Sequence, residues 1–156
     1  MNTLAWFLLS LTVGGSAQAQ RLSSVSKTEI SHTVLGGHVF DLEVARTPDQ
    51  WQRGLSKRAT LSKNQGMVFV LPTEQSLQFW MKDTLIPLDI IYFNSNGTFN
   101  TVHKNAPPCK LPKYTTSYCP TYSSVGNAQY VVELKGGTLD QLNIVPTTLR
   151  LSTKGL

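Results

Sequence analysis

The sequence predicts an α+β domain with a mainly antiparallel, barrel-like sheet and two short helices. Three observations support this fold class. Short apolar stretches recur along the chain, and most of them end near Gly, Pro or Asn. Two segments carry helix-start signals, but no stretch has the extended periodicity of a long helix. One tight hairpin signal joins two strand-forming runs, which favours antiparallel pairing.

The first half of the chain predicts three strands and one helix. Residues 38–44 alternate apolar and polar side chains, as is typical of a half-buried strand. The segment Thr47-Pro48-Asp49-Gln50 offers a capping hydroxyl, a proline for the first helical position and Gln three residues after the cap. Residues 66–71 are densely apolar and predict a buried strand that Pro72 ends. A further strand is expected over residues 77–82.

The second half begins with the strongest turn signal in the chain. Asn96-Gly97 lies between the strand-forming run 88–93 and a partner strand over 98–103. Residues 105–126 contain four of the eight prolines and predict a long irregular loop. The remaining expected elements are a strand over 129–134, a short helix from a second capping pattern at 138–141, and a last strand over 148–151.

The N-terminus has the pattern of a signal peptide. Leu4 to Val13 form an apolar run, and Ala17-Gln18-Ala19 places small residues where a signal peptidase cleaves. The run is too short for a permanent membrane anchor. We therefore expect a signal peptide over residues 1–19, a flexible lead-in over 20–37 and one domain over 38–156. Cleavage between Ala19 and Gln20 predicts an exported protein, either periplasmic or extracellular.

The composition narrows the classes of partner. The chain has 14 Lys and Arg residues against 9 Asp and Glu, a formal charge of +5. No basic run exceeds two residues, which argues against nucleic-acid binding. The mild positive charge favours an anionic partner or a carbohydrate at the cell surface. No motif for a cofactor or a metal ion is present.

Two cysteines lie ten positions apart in the Pro-rich loop. Outside the cytoplasm an even pair normally forms a disulfide, so we expect a structural Cys109–Cys119 bond. A redox pair usually has Cys-x-x-Cys spacing at a helix start, which these residues lack.

An ordered set of short motifs occurs along the chain. The motifs are Arg53-Gly54-Leu55, Gly66-Met67-Val68-Phe69, Phe79-Trp80-Met81-Lys82, Ile86-Pro87-Leu88-Asp89-Ile90, Asn105-Ala106-Pro107-Pro108-Cys109 and Tyr130-Val131-Val132-Glu133-Leu134. This set resembles the bacterial and archaeal family known as domain of unknown function 192. The resemblance covers about Val39 to Leu151 and implies a compact, mostly β domain without an established activity.

Trp80 and Lys82 are the first candidate binding residues. Alternation along residues 77–84 places them on one strand face, opposite Phe79 and Met81. An aromatic platform beside a cation suits a planar, sugar-like or anionic ligand. The alternative is a Trp lid over the core, with the Lys82 ammonium reaching out to water.

Three further residues complete the candidate site. Asp89 lies within an apolar run, and a buried carboxylate needs a partner, for which Lys82 is the obvious choice. Such an ion pair serves either structure or function. His103 ends the predicted hairpin strand, and Tyr122 adds aromatic surface to the long loop.

These residues favour a non-enzymatic exported binding module. One alternative is a small hydrolase that uses Asp89 and His103. A second alternative is a structural or assembly factor recognised through a sheet edge.

Overall fold

The computed structural model describes residues 28–109 and 118–156. The expected signal peptide, its cleavage site and most of the expected lead-in lie outside these ranges. In the part of the chain that is described, no helix is long and apolar enough to cross a membrane.

In the residues that the structure describes, the domain has six strands and two short α-helices. The strands are β1 (Ile30–Leu35), β2 (His38–Ala45), β3 (Gln65–Trp80), β4 (Leu88–Phe93), β5 (Phe99–Ala106) and β6 (Thr121–Lys135). The helices are α1 (Pro48–Arg53) and α2 (Thr138–Gln141), and a 3-10 turn covers Pro146–Thr148.

The strands form one sheet in the order β1-β2-β3-β6-β4-β5. Strands β2 and β3 pair in parallel, and the other described pairings are antiparallel. The expected mainly antiparallel sheet with two short helices is therefore confirmed. Within residues 28–109 and 118–156 the outer strands β1 and β5 do not pair, so the sheet is open and the barrel-like closure is not confirmed.

The expected boundary between lead-in and domain at residue 38 is wrong, because the sheet already includes β1 over Ile30–Leu35. This strand pairs with β2 through the turn Gly36-Gly37, where both residues have positive φ. Thr33 and Leu35 are buried, whereas Val34 between them is exposed. The largely polar composition before His38 concealed a strand with only one buried face.

Strands β3 and β6 are both longer than the strands that the sequence predicts. Pro72 does not end β3, which runs through it to Trp80. The proline lies between Val70 and Gln75, where the pairing with β6 shifts register, so its missing N–H removes no ladder bond there. Strand β5 extends to Ala106 and strand β6 starts at Thr121, so residues 105–106 and 121–126 of the expected irregular loop belong to strands.

The predicted N-terminal capping box is present in α1 and absent in α2. Helix α1 has both hydrogen bonds of the predicted capping box between Thr47 and Gln50. Helix α2 has Gly137 as its N-cap, without a side-chain bond from that position, so the predicted second capping box is wrong. The expected last strand is instead the 3-10 turn followed by an isolated bridge between Thr98 and Arg150.

Each face of the sheet carries its own hydrophobic core. The first core, which includes Met67, Ile90 and Val131, is covered by Leu55 and Leu61 from the segment after α1. The second core, on the opposite face, is covered by α2 and the C-terminal segment and includes Leu139 and Leu151. Neighbouring residues of a strand therefore face different cores, and this alternation decides which candidate site residues can meet.

Candidate functional site

Trp80 and Lys82 form a surface platform at the end of β3. The Trp80 side chain is 51% exposed. The Lys82 Nζ lies 5.1 Å from the centroid of the Trp80 ring, which is a cation–π contact. The two candidate residues therefore lie together at the surface, and Trp80 is not a lid sealed into the core.

A shallow depression of about 130 Å³ adjoins this platform and is lined by polar side chains. Gln52 comes from α1, and Ser56 comes from the turn after it. The Ser56 Oγ donates to the Lys82 carbonyl oxygen at 3.4 Å, which joins this turn to the end of β3. Asp83 completes the rim with a left-handed backbone, at φ 57°. Hydroxyl, amide and carboxylate groups thus surround the platform.

The disulfide between Cys109 and Cys119 is present, as the sequence predicts. Lys82 forms a parallel bridge with Cys109, and the Asp83 N–H donates to the Cys109 carbonyl oxygen at 3.0 Å. Cys109, one end of the disulfide, is therefore hydrogen-bonded to the segment that carries Lys82. Tyr118, just outside residues 110–117, is 91% exposed. Tyr114 lies outside the described residues.

Tyr122 and His103 lie together, and both residues are half-buried. The two rings are 5.3 Å apart, and the His103 Nε2 is 2.8 Å from the Ser123 carbonyl oxygen. Tyr92 joins them through its hydroxyl, which donates to the Tyr122 carbonyl oxygen at 2.8 Å. Burial raises the pKa of the Tyr92 hydroxyl. Tyr122 is also paired with Phe79, next to Trp80, so this aromatic group supports the strand under the platform.

Asp89 does not pair with Lys82, so that expectation is wrong. The Asp89 carboxylate is fully buried and accepts hydrogen bonds from three backbone N–H groups. The donors are Asn105 at 2.8 Å, Gly137 at 3.0 Å and Leu139 at 2.9 Å. Asp89 therefore caps the first turn of α2 and holds the end of β5, which is a structural role.

The sheet separates Asp89 from His103. His103 is paired with Ile90, whose side chain belongs to the first core. Asp89 precedes Ile90 in the strand and points to the other face, where it meets Leu139 of α2. Because the two side chains leave opposite faces, they have no shared point for a substrate atom, and a hydrolase site built on them is not formed.

Sequence reasoning missed the most perturbed carboxyl group of the described residues. Glu133 lies on β6 between Met67 and Ile90, with its side chain toward the first core. Burial raises the pKa of this carboxyl group to about 8, well above its ordinary value. A glutamate within Tyr130-Val131-Val132-Glu133-Leu134 is the signal that would have identified it, for the same reason that identified Asp89.

A second depression was also missed. It has a volume of about 400 Å³ and lies between α1 and β2. Arg58 donates to the Glu43 carboxylate at 2.5 Å within it, and Arg53 lies at its rim. These charged residues are dispersed in the sequence, so no local pattern reveals the cavity. Among the described residues, no group of three or more His, Cys, Asp or Glu side chains is placed to hold a metal ion.

Comparison with known proteins agrees with this fold. Residues 30–149 match the model of the DUF192 family, described as an uncharacterized ACR. The chain belongs to this family. None of the curated proteins matches it.

Two crystal structures share the fold over most of their length. One is a candidate transcription regulator from Sinorhizobium meliloti 1021, with 30% identity, a TM-score of 0.66, and coverage of 83% of this chain and 99% of that one. The other is a protein of unknown function from Novosphingobium aromaticivorans DSM 12444, with 29% identity, a TM-score of 0.71, and coverage of 83% and 89%.

Proposed function

We propose that the mature chain is an exported, non-enzymatic binding domain whose ligand is an acidic saccharide. The observation that carries this proposal is the half-exposed Trp80 indole with the Lys82 ammonium against its ring. An exposed aromatic ring beside a cation, with hydrogen-bonding groups around it, has the chemistry of a ligand platform.

The ligand class follows from the groups on the platform. The face of an indole ring is electronegative and attracts the C–H groups of a sugar ring. The Lys82 ammonium attracts a carboxylate on the same sugar. Gln52, Ser56 and Asp83 supply donors and acceptors for its hydroxyl groups. A uronic acid unit, which combines an apolar ring face, hydroxyl groups and one carboxylate, satisfies all of these groups.

Two features support export. The segment from Leu4 to Ala19 has the apolar run and the small residues of a cleavable signal peptide. The Cys109–Cys119 disulfide requires an oxidising compartment to persist, as outside the cytoplasm. A cell-surface acidic polysaccharide is a ligand that such a protein would meet.

Isothermal titration of the mature chain with hexagalacturonate tests the proposal, and a neutral hexasaccharide serves as the control ligand. Trp80→Ala and Lys82→Met each remove half of the platform. We expect each variant to weaken binding about tenfold or more, equivalent to about 1.4 kcal/mol. Lys63→Met is the matched control, because Lys63 is an exposed lysine just before the other end of β3.

Two results would overturn the proposal. One is binding that is equal for the charged and neutral saccharides and unchanged in Trp80→Ala. The other is the absence of heat above dilution for both saccharides with the intact chain.

A further inference from the structure

We propose a second binding site, on the free edge of β1, which accepts an extended acidic peptide as an additional strand. The site lies on an outer strand of the sheet and is separate from the Trp80 platform at the end of β3. Its partner is a polypeptide and not a saccharide, so the two proposals stand or fall independently.

The pairing of β1 defines which backbone groups face outward. The turn Gly36-Gly37 joins Leu35 to His38 as the last pair of a two-residue hairpin. Along an antiparallel ladder, hydrogen-bonded pairs alternate with pairs that are not hydrogen-bonded. Counting by two from Leu35 reaches Glu29, whose carbonyl oxygen accepts from the Val44 N–H at 2.8 Å, as this alternation requires. The N–H and C=O groups of residues 30, 32 and 34 therefore point away from β2, at the edge of the sheet.

The composition of β1 leaves this edge unprotected. Its six residues, Ile30–Leu35, include no Lys, Arg, Asp or Glu. Natural edge strands usually carry charges or proline, which prevent the addition of another strand. The Ile30 and Val34 side chains are 46% and 57% exposed on one face. Such an uncharged edge with exposed apolar residues favours strand addition.

A groove of about 450 Å³ runs between β1 and the C-terminal residues 150–154. The Leu151 N–H donates to the Gly97 carbonyl oxygen at 2.9 Å, which holds the segment near its start. Arg46 donates to the Gly155 carbonyl oxygen at 3.3 Å, which holds it near its end. Leu151 and Leu35 belong to the same core, so the C-terminal segment lies over the buried face of β1. The groove thus has two fixed walls.

Charge selects the partner. Arg150 and Lys154 line the groove, whereas no acidic side chain of the described residues lines it. The His32 ring on β1 is not a free cation, because its Nδ1 lies 2.6 Å from the Asp41 carboxylate. Neither Arg150 nor Lys154 forms an ion pair with a residue in the described ranges. If a second copy of the chain paired at this edge, Arg150 and Lys154 of both copies would lie close together. The repulsion between these like charges opposes such pairing. An acidic peptide has the complementary charge.

The two faces of β1 also determine the pattern of the peptide. One face of an added strand would continue the exposed Ile30 and Val34 side, and the other would face Arg150 and Lys154. Alternating apolar and acidic residues satisfy both faces. A peptide of about six residues, spanning about 20 Å, matches the length of β1.

Fluorescence anisotropy with a labelled acetyl-Glu-Val-Glu-Val-Glu-Val-amide tests the proposal, and the corresponding Lys-Val peptide is the control ligand. Val34→Pro removes an outward N–H without removing a bond to β2. The double change Arg150→Gln with Lys154→Gln removes the cations. We expect either change to weaken the binding of the acidic peptide about tenfold or more. Lys63→Gln and Trp80→Ala should leave its binding unchanged.

A peptide-based measurement keeps the test valid if Val34→Pro fails to fold. Methylating alternate peptide nitrogens on one side of the strand should abolish binding, and methylating those on the other side should not. Equal binding of the acidic and basic peptides, or of both methylated peptides, would overturn the proposal. So would a homodimer of the free chain in light scattering that Val34→Pro converts to a monomer, because a second copy would then occupy the edge.

Discussion

Asp89 joins three segments that are distant in the sequence. Its carboxylate accepts the N–H groups of Asn105, Gly137 and Leu139, so it fixes the end of β5 and the start of α2. Helix α2 has a glycine as its N-cap and no side-chain bond from that position, which explains why a buried carboxylate replaces the usual local cap.

Asp89→Ala should therefore be strongly destabilising. It would leave three N–H groups without their acceptor, and we expect the free energy of unfolding to fall by about 3 kcal/mol or more. Asp89→Asn should cost less, because its amide oxygen still accepts. Urea denaturation measures both losses.

Since Lys82 is not the partner of Asp89, Lys82→Met should change stability by less than about 0.5 kcal/mol. A large loss in Lys82→Met that the second change Asp89→Leu recovers would show an ion pair instead.

Glu133 gives the stability of the domain a pH dependence opposite to that of most carboxylates. Burial raises its pKa to about 8 from 4.5. Between these values the folded chain retains a proton that the unfolded chain has released. The free energy of unfolding therefore falls as pH rises through this window, by at most about 1.4 kcal/mol per pH unit.

Replacing Glu133 by Gln should remove this slope, because the amide does not ionise. We expect Glu133→Gln to gain stability relative to the unmodified chain as pH rises from 5 to 8, measured by urea denaturation at each pH. Glu74→Gln is the control, because its carboxylate is exposed and a hydrogen bond from the Ser95 N–H lowers its pKa. Parallel pH profiles for the Glu133→Gln and unmodified chains would contradict a buried, protonated Glu133.

At the scale of elements, a helix or turn is predictable when all the residues that stabilise it lie in one segment of the sequence. The capping residues of α1 and the hairpin signal Asn96-Gly97 are local, and both were predicted correctly. Strand β3 was divided at Pro72 because the sequence does not show that the proline occupies a register shift against β6. The cap of α2 comes from Asp89 on another strand, so no local pattern contains it.

The disulfide should act on both the stability and the proposed ligand site. Replacing Cys109 and Cys119 by Ser opens a short loop, and the free energy of unfolding should fall by somewhat less than about 3 kcal/mol. Because Cys109 is bonded to the backbone of Asp83, the same variant should also weaken saccharide binding. Thermal denaturation and calorimetric titration measure the two effects. An unchanged affinity would show that the loop does not position Lys82.

At the scale of the whole molecule, two cores on opposite faces of one open sheet determine which residues can act together. This arrangement brings Trp80 beside Lys82 and separates Asp89 from His103. Alternation along one strand sufficed to predict the first pair. The partners of Asp89 and the burial of Tyr122 depend on which strands are neighbours. No local sequence pattern predicts the strand order β3-β6-β4.

The proposed export concerns the whole chain. The apolar run and Ala17-Gln18-Ala19 predict cleavage between Ala19 and Gln20 when the complete chain is expressed in a secreting host. Intact mass spectrometry of the secreted protein should give the mass of a chain that begins at Gln20. A secreted product that retains residues 1–19 would contradict the predicted processing.

We propose that Trp80 is the contact surface for an acidic saccharide. After signal-peptide cleavage the chain has two tryptophans, Trp51 and Trp80, so a ¹⁵N–¹H spectrum contains two indole signals. The Trp51 indole N–H donates to the Ala45 carbonyl oxygen at 3.0 Å and is a built-in control. Titration with hexagalacturonate should shift the Trp80 indole signal progressively and leave the Trp51 signal in place. Two unmoved indole signals at saturating saccharide, or a shift of Trp51 alone, would contradict the account.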